Sequence, residues 1–144
     1  MRKALIVGIN EYRNAPLKGC INDATTLASI LRTNGNGSPN FGILQKLDVQ
    51  TRGELRSLIE ELFKGDHDAA LFYFSGHGYI DITGGKLVTP DYTSYDEGIS
   101  MQDIMTLANN SKIKNRIIIL DCCHSGALGS TPSSDQHLSS LAII

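Results

Sequence analysis

What the sequence lacks narrows it first. It has no charge excess: 13 Lys+Arg against 15 Asp+Glu leave a net charge of −2. That balance gives no electrostatic case for nucleic acid or for an anionic membrane surface. No apolar run approaches the roughly 20 residues that cross a bilayer. The N-terminus has a basic start, Met1-Arg2-Lys3, and an apolar stretch from Ala4 to Gly8. That stretch is too short for a signal peptide, and Asn10, Glu11 and Arg13 follow at once, so it reads as a first buried strand. There are only three cysteines, Cys20, Cys122 and Cys123, an odd number with two adjacent. A disulfide framework is therefore not expected, and reduced thiols in a cytoplasmic compartment are. Cys122, Cys123, His124 and His77 lack the spaced Cys-x-x-Cys or His-x-x-x-His pattern that lets ligands converge, so no metal site is expected. The segment after the first apolar run, Gly8-Ile9-Asn10-Glu11, has no Gly-rich phosphate fingerprint, which weighs against nucleotide binding.

What is present is the make-up of one globular domain over residues 1–144, with 41% hydrophobic and 19% charged residues. Short apolar runs at Ala4–Gly8, Ala69–Phe74 and Arg116–Leu120, with a weaker one at Phe41–Leu47, read as strands buried on both faces. Helical patterns lie between them. Ala24, Leu27, Ala28 and Leu31 form one apolar face of a helix that starts near Asn22 or Asp23, both good cap types. Thr51 and Glu54 form a capping box for a helix carrying Leu55, Leu58, Ile59, Leu62 and Phe63, closed by Gly65. Ser100 caps a third helix through about Ala108, with Ile104, Met105 and Ala108 inward. Lys86–Val88 reads as a short hairpin element, and 126–136, rich in Gly, Ser and Pro, as a mobile loop. This alternation predicts an α/β fold, a mostly parallel central sheet with helices on both faces. Ligands in such sheets bind beyond the carboxyl ends of the strands. The last residues, Leu141 to Ile144, read as the beginning of a further buried strand, so the expectation is a domain incomplete at its C-terminus.

Two segments carry chemistry: Ser75-Gly76-His77-Gly78 and Asp121-Cys122-Cys123-His124-Ser125-Gly126. Each follows an apolar run, and both are expected just past a strand end. A thiol and an imidazole on neighbouring strand ends are what a cysteine nucleophile with a histidine base requires. Cys123 is the expected nucleophile. Cys122 competes, but neighbours on an extended strand end face opposite ways, and Cys122 is assigned to packing. An isolated cysteine is more often a small buried hydrophobe; the following His-Ser-Gly favours a site. His77 is the expected general base, with Gly76 and Gly78 allowing tight backbone geometry around it. His124 is a rival base, set aside because it is adjacent to Cys123. The N–H groups of Gly78 and Cys123 are candidate oxyanion donors. Asp121, beside the nucleophile, would bind an Arg or Lys side chain; otherwise it caps the loop. Asp23 on its own reads as a helix N-terminal acid.

These two motifs resemble the caspase-like cysteine peptidases, and within them the metacaspase branch and its bacterial relatives. His77 and Cys123 are 46 positions apart (123 minus 77), near the roughly 50 of caspase-type enzymes. Ala4-Leu5-Ile6-Val7-Gly8-Ile9-Asn10 and Gly19-Cys20-Ile21-Asn22-Asp23-Ala24 resemble the family's opening strand and first helix entry. The resemblance implies a caspase–hemoglobinase sheet, a His77/Cys123 dyad, and cleavage of protein or peptide substrates after Arg or Lys. It also implies that Asp121 and Asp23 line the pocket for the basic side chain. Gln-Ala-Cys-Arg-Gly is absent, so cleavage after Asp is not expected. Calcium-dependent members carry an acidic loop after the histidine. Here Tyr79 to Tyr92 offers only Asp81 and Asp91, so no cofactor is expected. The resemblance further implies that a small-subunit region of the same protein follows and completes the cleft. The alternative reading is a non-catalytic caspase-like module used for assembly or signalling.

Overall fold

A computed structural model describes residues 1–124 and 141–143, with side chains through residue 122. The elements are β1 (Arg2–Gly8), α1 (Cys20–Leu31), β2 (Phe41–Leu47), α2 (Arg52–Lys64), β3 (Ala69–Asp81), β4 (Gly84–Thr93), β5 (Asp96–Ser100), α3 (Met101–Asn109), β6 (Asn115–His124) and β7 (Leu141–Ile143). The expected loop at 126–136 lies outside the described residues.

The sheet is mixed. Its parallel part runs β2-β1-β3-β6. β4 and β5 add an antiparallel meander beside β3, and β7 runs antiparallel to Ile118–Leu120 of β6. The short apolar runs account for the parallel part, because strands covered on both faces have no polar side to alternate with. α1 covers one face, where Ala24 and Ala28 pack on Ala4, Ile6, Leu71 and Tyr73. α2 and α3 cover the other, where Leu55, Ile59, Phe63 and Ile104 meet Leu5, Val7, Phe72 and Phe74.

Two helix starts follow the local signals. Thr51 Oγ1 accepts from the Glu54 N–H at 3.2 Å, and Ser100 Oγ accepts from the Asp103 N–H at 3.0 Å. α1 does not follow them. It starts at Cys20, ahead of Asn22 and Asp23, and its cap residue Gly19 has no capping side chain. Instead Asn10 Oδ1 accepts from the N–H groups of Cys20 and Ile21, at 3.0 and 3.3 Å. The cap comes from ten residues upstream, so Asn22 and Asp23 fall inside the first turn.

The strand ends also differ from expectation. β3 does not stop at Phe74 but continues through Ser75-Gly76-His77-Gly78 to Asp81. β6 runs on through Asp121 to His124. The backbone groups of the extension find partners: Gly78 is in register with His124 of β6 and also with Leu87 of β4. β4 therefore takes the edge of β3 that β1 leaves after Ser75. The element expected at Lys86–Val88 is part of this longer hairpin.

Candidate active site

Parallel pairing of β3 and β6 sets Ser75 beside Asp121, Gly76 beside Cys122, and His77 beside Cys123. Neighbouring strands lie about 4.8 Å apart, so the backbone carries the histidine and the second cysteine side by side. The side chains of Cys123 and His124 lie outside the described residues.

His77 is nearly inaccessible, at 3% exposure. Its Nε2 lies 2.6 Å from the carbonyl oxygen of Ala15. A carbonyl only accepts, so Nε2 bears a proton, and in the matching neutral tautomer the lone pair is on Nδ1. Nδ1 is buried and has no hydrogen-bond partner among the described residues. A buried nitrogen with an unused lone pair is costly, and it is also the atom able to take a proton.

Ala15 belongs to the loop between β1 and α1, and side chains from elsewhere hold that loop. Asp48, which follows β2 with φ 51°, accepts from the N–H groups of Asn10 and Glu11 at 2.8 and 3.1 Å. Asn10 holds the start of α1, as described above. Tyr12 is buried, its ring centroid 4.4 Å from that of His77. Its hydroxyl donates to the Val88 carbonyl at 3.0 Å and accepts from the His77 N–H at 3.1 Å.

Gly76 and Gly78 are glycines for want of space, not for unusual dihedrals. Neither has positive φ. A Cβ at Gly76 would meet the Tyr12 hydroxyl at 2.6 Å, and one at Gly78 would meet Cys122 Cβ at 2.8 Å. The turn geometry expected around His77 is thus replaced by close packing within a strand.

Cys122 packs against the core under α2 and α3, next to Leu120 on the same side of β6. It lines a small cavity with Gly78, Tyr79, Leu87 and Met101. Asp121 is on the opposite side and exposed, and its Oδ2 accepts from the Tyr73 hydroxyl at 3.3 Å. Burial pushes the Tyr73 hydroxyl up to about 12, and the negative charges of Asp121 and Asp23 push the same way. Asp23, exposed in the first turn of α1, is thereby one of two carboxylates within electrostatic reach of one hydroxyl.

The two acids after His77 are occupied locally. Asp81 accepts from Thr83 and Lys86, and these bonds hold its carboxyl at about 2. Asp91 accepts from the Arg52 N–H and from the Thr89 hydroxyl. Among the described residues there is no group of three or more His, Cys, Asp or Glu placed to hold a metal ion, and no helix long and apolar enough to cross a membrane.

The sequence pointed to His77, Asp121 and Asp23. It did not point to Tyr12, Ala15, Asn10, Asp48 or Tyr73. Asn10 carried a usable signal, a polar residue two positions past a buried strand. Tyr73 sat inside an apolar run, and Ala15 acts through its backbone.

Comparison with known proteins gives a consistent answer. The family model described as the caspase domain matches residues 1–140. Metacaspase-8 of Arabidopsis thaliana is 31% identical over 147 residues, covering 88% of this chain and 38% of that protein. Metacaspase-1 of Saccharomyces cerevisiae is 30% identical over 152 residues, covering 91% of this chain and 35% of that protein. Metacaspase-1 of Mycosarcoma maydis is 34% identical over 85 residues, 54% of this chain and 21% of that protein. The chain thus spans between about a fifth and two-fifths of the length of these relatives. With a family match over nearly its whole length and a histidine-bearing strand paired in register with a cysteine-bearing one, the chain belongs to the caspase domain family.

Proposed function

We propose that this chain carries the catalytic dyad of a cysteine endopeptidase that cleaves after Arg or Lys. The observation that carries the reading is the register of His77 with Cys123 on adjacent parallel strands. Nδ1 of His77 takes the thiol proton of Cys123, and the thiolate attacks the scissile carbonyl. The N–H groups of Gly78 and Cys123 stabilise the oxyanion. The imidazolium returns its proton to the leaving amine, and water then hydrolyses the acyl-enzyme by the same histidine. Held by the Ala15 carbonyl through Nε2, the ring keeps one orientation through both half-reactions. Asp121 and Asp23 bind the guanidinium or ammonium of the substrate residue before the cleaved bond. A thiol nucleophile suits a reducing, cytoplasmic compartment.

The test uses the intact protein with fluorogenic peptides ending in Arg or in Asp. Cleavage of the Arg peptide is expected, with none of the Asp peptide. Cys123→Ala should abolish it, and His77→Ala should lower kcat by about 10²- to 10⁴-fold. An inert Arg peptide, or full activity in Cys123→Ala, overturns the reading.

A further inference from the structure

We infer that Tyr12 is a positioning residue for the catalytic base: its hydroxyl fixes the main chain of His77 and its ring seats the imidazole, so that Nδ1 is presented to the thiol of Cys123. The inference rests on the dyad reading above.

Among the described residues the His77 ring has one hydrogen bond, from Nε2 to Ala15, and a single bond leaves a ring free to pivot. The Tyr12 ring, tilted by 60° at 4.4 Å between centroids, blocks that pivot. The Tyr12 hydroxyl then fixes the strand from which the ring hangs. It uses its proton toward Val88 of β4 and its lone pair toward the N–H of His77. This happens where β1 has ended and β4 is taking over the edge of β3. The β1–β3 pairing ends at Ser75 and the β3–β4 pairing begins at Gly78. At His77 the phenol bridges that gap between β3 and β4.

Two further observations fit this role. Gly76 leaves room for the hydroxyl, since a Cβ there would stand 2.6 Å from it. Burial also raises the Tyr12 pKa well above that of an ordinary tyrosine, so the group stays a neutral donor and acceptor. Besides His77, the titratable groups acting on it are Cys20, Cys122 and Asp48. Tyr12 touches neither thiol proton nor substrate in the proposed mechanism, so its effect is on the pose of the base.

The experiment measures two things on the intact protein. One is the rate of Cys123 alkylation by iodoacetamide from about pH 5 to about pH 10, read by mass spectrometry of the Cys123 peptide. The other is kcat and KM on an Arg peptide. Tyr12→Phe keeps the ring and removes the hydroxyl. It should lower kcat about tenfold with KM within about twofold, the effect of one lost buried hydrogen bond acting on the chemical step. It should also move the alkylation midpoint up, toward the roughly 8.5 of an ordinary thiol. His77→Ala should move it further in the same direction. Gly76→Ala, which drives a methyl group against the Tyr12 hydroxyl and the edge of the Phe74 ring, is the second variant and should reproduce the shift. Circular dichroism at the assay temperature identifies which variants are folded. An unshifted midpoint in either folded variant, beside a shifted one in His77→Ala, overturns the role of Tyr12 and leaves the dyad intact. An unshifted midpoint in His77→Ala overturns the dyad itself, and the inference with it.

Discussion

The two faces of the sheet are built differently. Among the described residues, 20 buried ones form the cluster shared with α2 and α3, including Phe72, Phe74, Leu5, Ile59 and Ile104. Six form the cluster shared with α1, namely Ala4, Ile6, Ala24, Ala28, Leu71 and Tyr73. β6 feeds both: Ile118, Leu120 and Cys122 go to the thick face, and Ile117 and Ile119 to the thin one. Asp121 bonds to Tyr73, a member of the thin-face cluster. Stability is therefore concentrated on the face where more apolar side chains are buried. The thin face ends in polar groups that water can reach, and there the two carboxylates sit. A carboxylate buried among the thick-face residues would be too costly to keep ionised. On the thin face Asp121 and Asp23 are exposed to solvent.

That contrast can be broken at three places, from the largest effect to the smallest. Phe72→Ala empties a fully buried site on the thick face. It should cost about 3–5 kcal/mol of stability, read from the midpoint of urea unfolding. Asp121→Asn on the thin face should lower kcat/KM on Arg peptides by about 10- to 100-fold, the loss of one charge-assisted contact to the substrate. Its unfolding midpoint should stay within about 0.5 kcal/mol of wild type. If Asp121→Asn unfolds as readily as Phe72→Ala, the division of labour between the faces is wrong. The smallest effect is alkaline. Tyr73 is raised from 10.0 to about 12, so above pH 10 the unfolded chain loses a proton that the fold retains. Stability should decline as pH rises from about 10 to about 12, because the unfolded state is favoured wherever it binds fewer protons. Tyr73→Phe should flatten part of that decline, while Tyr12 and Lys86, whose pKa values are also raised, keep contributing to it. An unchanged slope would mean that Tyr73 is not held protonated beside Asp121.

Much of the architecture was legible because it rests on local rules. The apolar runs became β1, β2, β3 and β6, and Thr51 and Ser100 capped the helices they precede. The leading misreadings share one cause. Gly76 and Gly78 look like turn signals, yet here glycine answers a close approach by Tyr12 and Cys122, which no local window contains. Asn22 and Asp23 look like caps, yet Asn10 supplies the cap across a loop.

The sequence by itself determined the alternation of strands and helices, the fold class, and the placing of a histidine and a cysteine at the far ends of two apolar runs. Those follow from periodicity and residue chemistry along the chain. Only the tertiary structure decided that His77 and Cys123 share a register, that Ala15 and Tyr12 hold the imidazole, and that Asp121 meets Tyr73. These are contacts between residues 46 to 65 positions apart. They form only when the sheet assembles and the backbone partners of each strand are chosen.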